Sequence, residues 1–283
     1  MATRIFALLI SALCAACTAT LPQSTFFHPR AATLPDSVRD SSRWPAGYRM
    51  DEQMYRADGA ALHGIAFRRP NTAFAVLFFG GNAFHVGNAA LARARAFGNI
   101  GVDSYFVDYR GYGQSEGVPN IDALKADVLV VYDSLVASGR VRPEALLVHG
   151  HSMGTFVATY LATQRPVAGL ILESPVTTVE EWVSTRTPGL LDLVLNIKAD
   201  TGARKESNLE RIGQVRAPLL VVVGSKDRLT PPDMAQRVFN ASTLPAERKL
   251  LRVLEGGEHN RLTAHAGYAA AYEEYLRLVL PSK

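Results

Sequence analysis

Apolar positions along this chain come in two patterns, and the two alternate. Short, largely apolar runs at Ala73–Phe79, Val102–Val107, Ala145–His149, Gly169–Glu173, Pro218–Val223 and Leu250–Leu254 have the length of strands. A continuous apolar run is what a strand covered on both faces requires. Between these runs the spacing changes. Over Ile121–Ser138 the apolar residues Leu124, Val128, Val131, Tyr132 and Leu135 recur along one helical face. Ala89–Phe97, Met153–Thr163, Pro232–Asn240 and Ala264–Leu280 also read as helices. Tyr48–Arg56 and Leu62–Arg68 flank Asp58-Gly59, a hairpin signal. Strands alternating with helices predict an α/β fold, with a mostly parallel central sheet and helices on both faces.

Residues 176–216 interrupt the alternation and are too long for a simple crossover. Their apolar block Leu190-Leu191, Leu193-Val194-Leu195 and Ile197 follows Thr187-Pro188, a helix-start signal. Two readings are open: a helix packed on the sheet, or a small cap lining an acyl pocket. The domain expectation is therefore a leader over 1–17, a tether or irregular lead-in over 18–47, and an α/β domain over 48–283 with a cap insertion at 176–216. The lead-in carries Pro22, Pro29, Pro35 and Pro45 among polar residues.

The leader has its own pattern. Arg4 precedes the apolar run Ile5 to Ala16, which ends in small residues, the layout of an export signal. The run is too short to span a hydrocarbon core. Both cysteines, Cys14 and Cys17, lie here. A mature domain starting near them has no internal disulfide and no cysteine zinc site. Cys14-Ala15-Ala16-Cys17 resembles a bacterial lipoprotein cleavage box with Cys17 as the acylated residue, although Cys14 stands where an aliphatic residue is usual. The alternatives are ordinary signal cleavage or an uncleaved anchor. The expected location is the bacterial cell envelope, periplasmic and lipid-anchored, or secreted after cleavage.

Of the 283 residues 48% are hydrophobic, enough for a large core, and the net charge is only +4. Arg39, Arg43, Arg49 and Arg56 alternate with Asp36, Asp40, Asp51, Glu52 and Asp58. That is a solvated surface, not a nucleic-acid stripe. The expectation is a monomer with no cofactor and no nucleic-acid partner, with the membrane surface reached through the amino-terminal anchor.

The chemistry is concentrated after the strand at Ala145. Gly150-His151-Ser152-Met153-Gly154 is a G-x-S-x-G run between a strand and a helix, the pattern of a nucleophile elbow. A serine hydroxyl needs a base, and the base needs a group that fixes its tautomer. In elbow proteins the order is Ser, acid, His. Asp227, in Gly224-Ser225-Lys226-Asp227, follows one strand, and His259, in Gly256-Gly257-Glu258-His259, follows the last. Glu173 is the substitute acid and His265 the weaker base. His149 and His151 have a spacing that could bind metal, but they lack a third ligand and read as packing around the elbow. An oxyanion needs backbone donors. The candidates are the N–H groups of Met153, after the nucleophile, and of Asn82, in Gly80-Gly81-Asn82-Ala83.

Taken together, Phe79-Gly80-Gly81-Asn82-Ala83, the Asp108–Gly117 run DYRGYGQSEG, Gly150–Gly154, Leu172-Glu173-Ser174-Pro175, Asp227 and His259 resemble the α/β-hydrolase superfamily over roughly 48–280. The likeness is to the branch with an HGNxG-type oxyanion loop and a DYRGYGxSxG segment. It implies a Ser152–His259–Asp227 triad, with Asn82 and Met153 as oxyanion donors, and a segment 108–117 that shapes the sheet edge. Here Gly80 replaces the usual His, and Phe84-His85-Val86 interrupts the usual loop. The expected function is an exported serine hydrolase cleaving a carboxylic ester, a small-molecule or lipid ester, through an acyl-enzyme. The alternatives are a thioesterase, a peptidase, or a non-catalytic envelope lipoprotein that binds a lipid or partner.

Overall fold

The computed structural model of the protein describes residues 17–184 and 195–280. Its main sheet has eight strands: β2 (Arg49–Ala57), β3 (Ala60–Arg68), β4 (Ala75–Phe79), β5 (Asp103–Val107), β6 (Leu146–His151), β7 (Gly169–Glu173), β9 (Leu219–Gly224) and β10 (Lys249–Leu254). Their spatial order is β2-β3-β5-β4-β6-β7-β9-β10. Only β3 runs against its neighbours, and every other pairing is parallel. Strands β1 (Cys17–Leu21) and β8 (Leu195–Ala199) form a separate parallel pair.

The apolar runs are continuous because side chains alternate between two covered faces. Along β4, Ala75, Leu77 and Phe79 join one core while Val76 and Phe78 join the other. On β9, Leu219, Val221 and Val223 divide in the same way from Leu220 and Val222. Helices α2 (Ile121–Ala137), α3 (Gly154–Gln164) and α5 (Pro232–Ala241) cover the first face, and α1 (Val86–Ile100) and α6 (Ala266–Val279) cover the second. Each fully buried Leu, Val or Phe contributes about 1.5–3 kcal/mol. Helix α1 starts three residues before its expected position, and the His85 N–H donates to Asn88 Oδ1 at 3.2 Å, which caps its first turn.

The lead-in is packed on the domain. Phe26, Phe27, Leu34 and Val38 are buried, and Trp44 Nε1 donates to the Val38 carbonyl at 2.7 Å. Residue 48 marks where the sheet begins, not where the core begins. In the insertion, α4 (Val179–Ser184) places Val179, Trp182 and Val183 in a small third core with Phe26, Phe156 and Val176. The leader up to Ala16 lies outside the described residues, and Cys17 enters only as backbone. The block from Leu190 to Val194 is outside them too. Leu195 to Ile197, expected in a helix, belong to β8 instead. Pairing with a strand at the far amino end decides this, and local periodicity carries no trace of such a partner. Among the described residues no helix is long and apolar enough to cross a membrane.

Candidate active site

The serine sits at the carboxyl end of the central strand β6. Its φ is 54°, in the left-handed region. For a non-glycine residue that conformation costs roughly 1–3 kcal/mol and persists only where the surroundings impose it. Here they do. A Cβ on Gly150 would fall 2.5 Å from the Gly154 carbonyl oxygen, and one on Gly154 would fall 2.1 Å from that of Phe79. Two glycines therefore let strand and helix cross, and Ser152 is left at the apex. Its N–H donates to the Glu173 carbonyl at 2.9 Å, and the Thr155 hydroxyl donates to its carbonyl at 2.6 Å.

Asp227 and His259 meet on the loops after β9 and β10. His259 Nδ1 lies 2.8 Å from Asp227 Oδ2. The same oxygen accepts from the Thr230 hydroxyl at 2.9 Å, and Oδ1 accepts from the N–H groups of Leu229 and Thr230 at 2.9 Å each. Burial works to raise the Asp227 pKa, but His259 and these donors outweigh it and hold the carboxyl below its usual value. An ionised carboxylate on Nδ1 selects the tautomer that leaves Nε2 as a proton acceptor. Ser152 and His259 line one cavity of about 440 Å³, together with Asn82, His28, Trp182 and Leu229. No hydrogen bond joins Ser152 to His259 among the described residues. Such contacts often close only with substrate present.

Of the two expected backbone donors, Asn82 lines this cavity and Met153 directly follows Ser152. Neither the Asn82 nor the Met153 N–H donates to an acceptor among the described residues. The departure at Gly80 has a steric origin: a Cβ there would lie 2.1 Å from Phe84 Cγ. The Phe84 ring occupies the space that a side chain at 80 would need, and it packs 5.3 Å from the Phe78 ring.

Glu173 is engaged elsewhere. It is fully buried, with Arg93 Nη1 at 3.1 Å, His149 Nε2 at 3.0 Å and the Tyr268 hydroxyl at 3.2 Å. Burial opposes its ionisation, but the Arg93 guanidinium and the neighbouring His149 outweigh it and hold it well below the usual carboxylate range. His149 Nδ1 lies 2.7 Å from the Tyr272 hydroxyl. His151 Nε2 donates to the His259 carbonyl at 3.0 Å, and burial pushes its pKa down to about 3, so it is neutral. No cluster suited to a metal ion occurs among the described residues. His265 caps α6, accepting from the Gly267 N–H at 3.0 Å, and its Nε2 lies 2.9 Å from the Glu255 carbonyl.

Sequence reasoning missed several residues here. Arg93 is a lone cation on an otherwise apolar helix face. Thr230 lies three residues after Asp227, a spacing suited to a local turn. Phe26-Phe27 is the one pair of adjacent aromatic residues in the lead-in. Those phenylalanines line a second, small apolar pocket of about 50 Å³ with Met153, Phe156, Val179 and Trp182. Trp182 lines both cavities.

An open parallel sheet with one reversed strand, a strained serine after its central strand and a His–Asp pair on two later strand ends defines a class. A family model described as "Serine aminopeptidase, S33" matches residues 70–205. An uncharacterized protein of Mycobacterium tuberculosis is 34% identical over 83% of this chain and 79% of its own length. The human alpha/beta hydrolase domain-containing protein 17B is 25% identical over 73% of this chain and 67% of its own length. Among solved structures, the esterase Pf2001 of Pyrococcus furiosus superposes with a TM-score of 0.68 at 15% identity, covering 88% of this chain and 98% of the esterase. An acylaminoacyl peptidase of Pyrococcus horikoshii superposes with a TM-score of 0.62 at 15% identity, covering 86% of this chain and 42% of the peptidase. The chain belongs to the α/β-hydrolase family and is a serine hydrolase.

Proposed function

We propose that the protein cleaves carboxylic esters through an acyl-enzyme on Ser152. His259 Nε2 takes the Ser152 proton as Oγ attacks the carbonyl carbon. The carbonyl oxygen becomes an oxyanion held by the Asn82 and Met153 N–H groups, each donor contributing about 2.7–4 kcal/mol in such sites. The tetrahedral species collapses, and the protonated His259 gives its proton to the departing alcohol oxygen. Water, deprotonated by the same imidazole, then releases the acid and restores Ser152. Asp227 keeps the imidazole in its tautomer and balances the cation that forms.

The observation that carries this reading is that Ser152 at its strained apex and His259, tied through Nδ1 to Asp227, line one cavity. The apolar pocket behind Met153 supports an acyl chain as the group bound there, with Trp182 as the shared wall. The test is labelling with a fluorophosphonate beside a panel of p-nitrophenyl esters of graded length and aminoacyl anilides. Ser152→Ala is expected to abolish labelling and lower turnover by about 10⁶-fold. Unlabelled, well-folded wild type would sink the reading. Faster anilide than ester cleavage would move the protein to the peptidases.

We extend the proposal to location: the Arg4–Ala16 leader directs export, and Cys17 is the acylated residue of a lipid-anchored envelope protein. Mass spectrometry of the amino terminus of membrane-bound protein tests it, and an unacylated Cys17 would overturn the anchor.

A further inference from the structure

The loop that carries Asn82 is closed by one backbone hydrogen bond of its own, from the Phe84 N–H to the Gly81 carbonyl at 3.0 Å. It begins with two glycines, the residues that retain most backbone freedom. A backbone donor in an oxyanion site has to be held within about 0.5 Å of its working position. Groups outside the loop supply the rest of that constraint.

The segment after β5 does so at three points. The Tyr109 hydroxyl donates to the Gly80 carbonyl at 2.8 Å. The Tyr112 hydroxyl donates to Asn82 Oδ1 at 2.9 Å. Asp108 Oδ1 accepts from the Val86 N–H at 2.6 Å, where α1 begins. Both tyrosines are nearly inaccessible, at 5% and 1% exposure, so water cannot replace these bonds without opening the fold. The lead-in adds a fourth constraint. The His28 N–H donates to the Tyr112 oxygen at 2.8 Å and to Asn82 Oδ1 at 3.1 Å. It is tied in turn to the same segment, with the Gly113 N–H donating to the Arg30 carbonyl and the Ala32 N–H to the Gly113 carbonyl, each at 2.8 Å. With two donors on Oδ1, the Asn82 side chain is locked, and its backbone is locked with it.

We infer that Tyr109 and Tyr112 are positioning residues that hold the oxyanion loop in its working geometry, with the His28 main chain completing the clamp on Asn82. The inference rests on the reading of the Asn82 N–H as an oxyanion donor. It assigns to the DYRGYG segment more than the shaping of a sheet edge. A clamp of this kind acts on the transition state rather than on the ground state, so its loss falls on kcat.

The test is steady-state hydrolysis of a p-nitrophenyl ester, together with the rate of fluorophosphonate labelling, in wild type, Tyr112→Phe, Tyr109→Phe, Asn82→Ala and the Tyr112→Phe/Asn82→Ala double variant. Tyr112→Phe and Asn82→Ala each lose about tenfold in kcat, the worth of a strong hydrogen bond, with KM within about twofold. Labelling slows by the same factor. The double variant is no slower than the worse single, because both remove one clamp. Asn82→Ala keeps the backbone N–H, so its loss measures positioning alone. If Tyr109→Phe fails to fold, the Tyr112–Asn82 pair still decides. Active wild type with Tyr112→Phe unchanged in kcat, or losses that multiply in the double variant, would overturn the inference alone. Inert wild type would overturn the ester-hydrolase reading and this inference with it.

Discussion

Two buried carboxylates stand at the carboxyl edge of the same sheet, and they do opposite work. Asp227, after β9, faces one imidazole and neutral donors that include the Thr230 hydroxyl, two backbone N–H groups and the Ser174 hydroxyl. Glu173, at the end of β7, faces the Arg93 guanidinium, with His149 and Tyr268 also within reach. Both are held below the usual carboxylate range, in each case against the effect of burial. The partner decides the role. A guanidinium holds its charge at every accessible pH, so Glu173 is committed to a fixed ion pair. An imidazole can take up a proton and give it back, so Asp227 is placed to stabilise a cation that comes and goes during a reaction. Arg93 also lies over the Phe78 ring at 4.4 Å, which roots the Glu173 pair in the aromatic core.

The contrast breaks most sharply at Asp227. Asp227→Asn should lower ester turnover by about 10⁴-fold, the cost of the wrong tautomer, while thermal unfolding changes little. Near-normal turnover would return the acid role to Glu173. Glu173→Gln should do the reverse. Leaving Arg93 buried without its counter-charge costs about 3–5 kcal/mol in denaturant unfolding, and turnover falls by far less than in Asp227→Asn. A variant as stable as wild type would show that the Arg93 pair is dispensable.

A smaller effect follows from pH. The folded pKa of Glu173 is below its ordinary value of 4.5, so the unfolded chain binds its proton first as pH falls. The stabilisation is complete above about pH 4.5 and is lost as pH falls through the folded value. The stability gap between wild type and Glu173→Gln should therefore narrow in acid, as read by urea midpoints across pH 3–7. A gap that stays constant would contradict the ion pair. The smallest effect belongs to Thr230→Val, which removes one of several donors on Asp227. It should cost about 1–2 kcal/mol and no more than about tenfold in turnover.

The loop at 80–83 shows a second kind of dependence. Its glycines and Asn82 are adjacent in sequence, yet the groups that hold it come from the segment after β5 and from the lead-in. That lead-in also supplies Phe26 and Phe27 to the apolar pocket. Read locally, Pro22 to Pro45 is a spacer. Folded, it lines a pocket and hydrogen-bonds to Asn82 and Tyr112.

What the sequence determined by itself was the set of elements and the candidate chemistry on their ends. Continuous apolar runs specify strands covered on both faces, and Gly150–Gly154 specifies a turn too tight for a side chain at either glycine. The positions of Asp227 and His259 after strands follow from the same alternation. Tertiary structure alone decided what those groups touch. The β6–β7 register sets His151 opposite Glu173, and α1 carries Arg93 to the same place. The β1–β8 pairing makes a strand of Leu195–Ala199, and Tyr112 reaches Asn82 across two loops. The physical reason is that periodicity is a property of neighbours along the chain. Hydrogen bonds and ion pairs a few ångströms long depend on how separate elements are packed, and no local window of residues contains that.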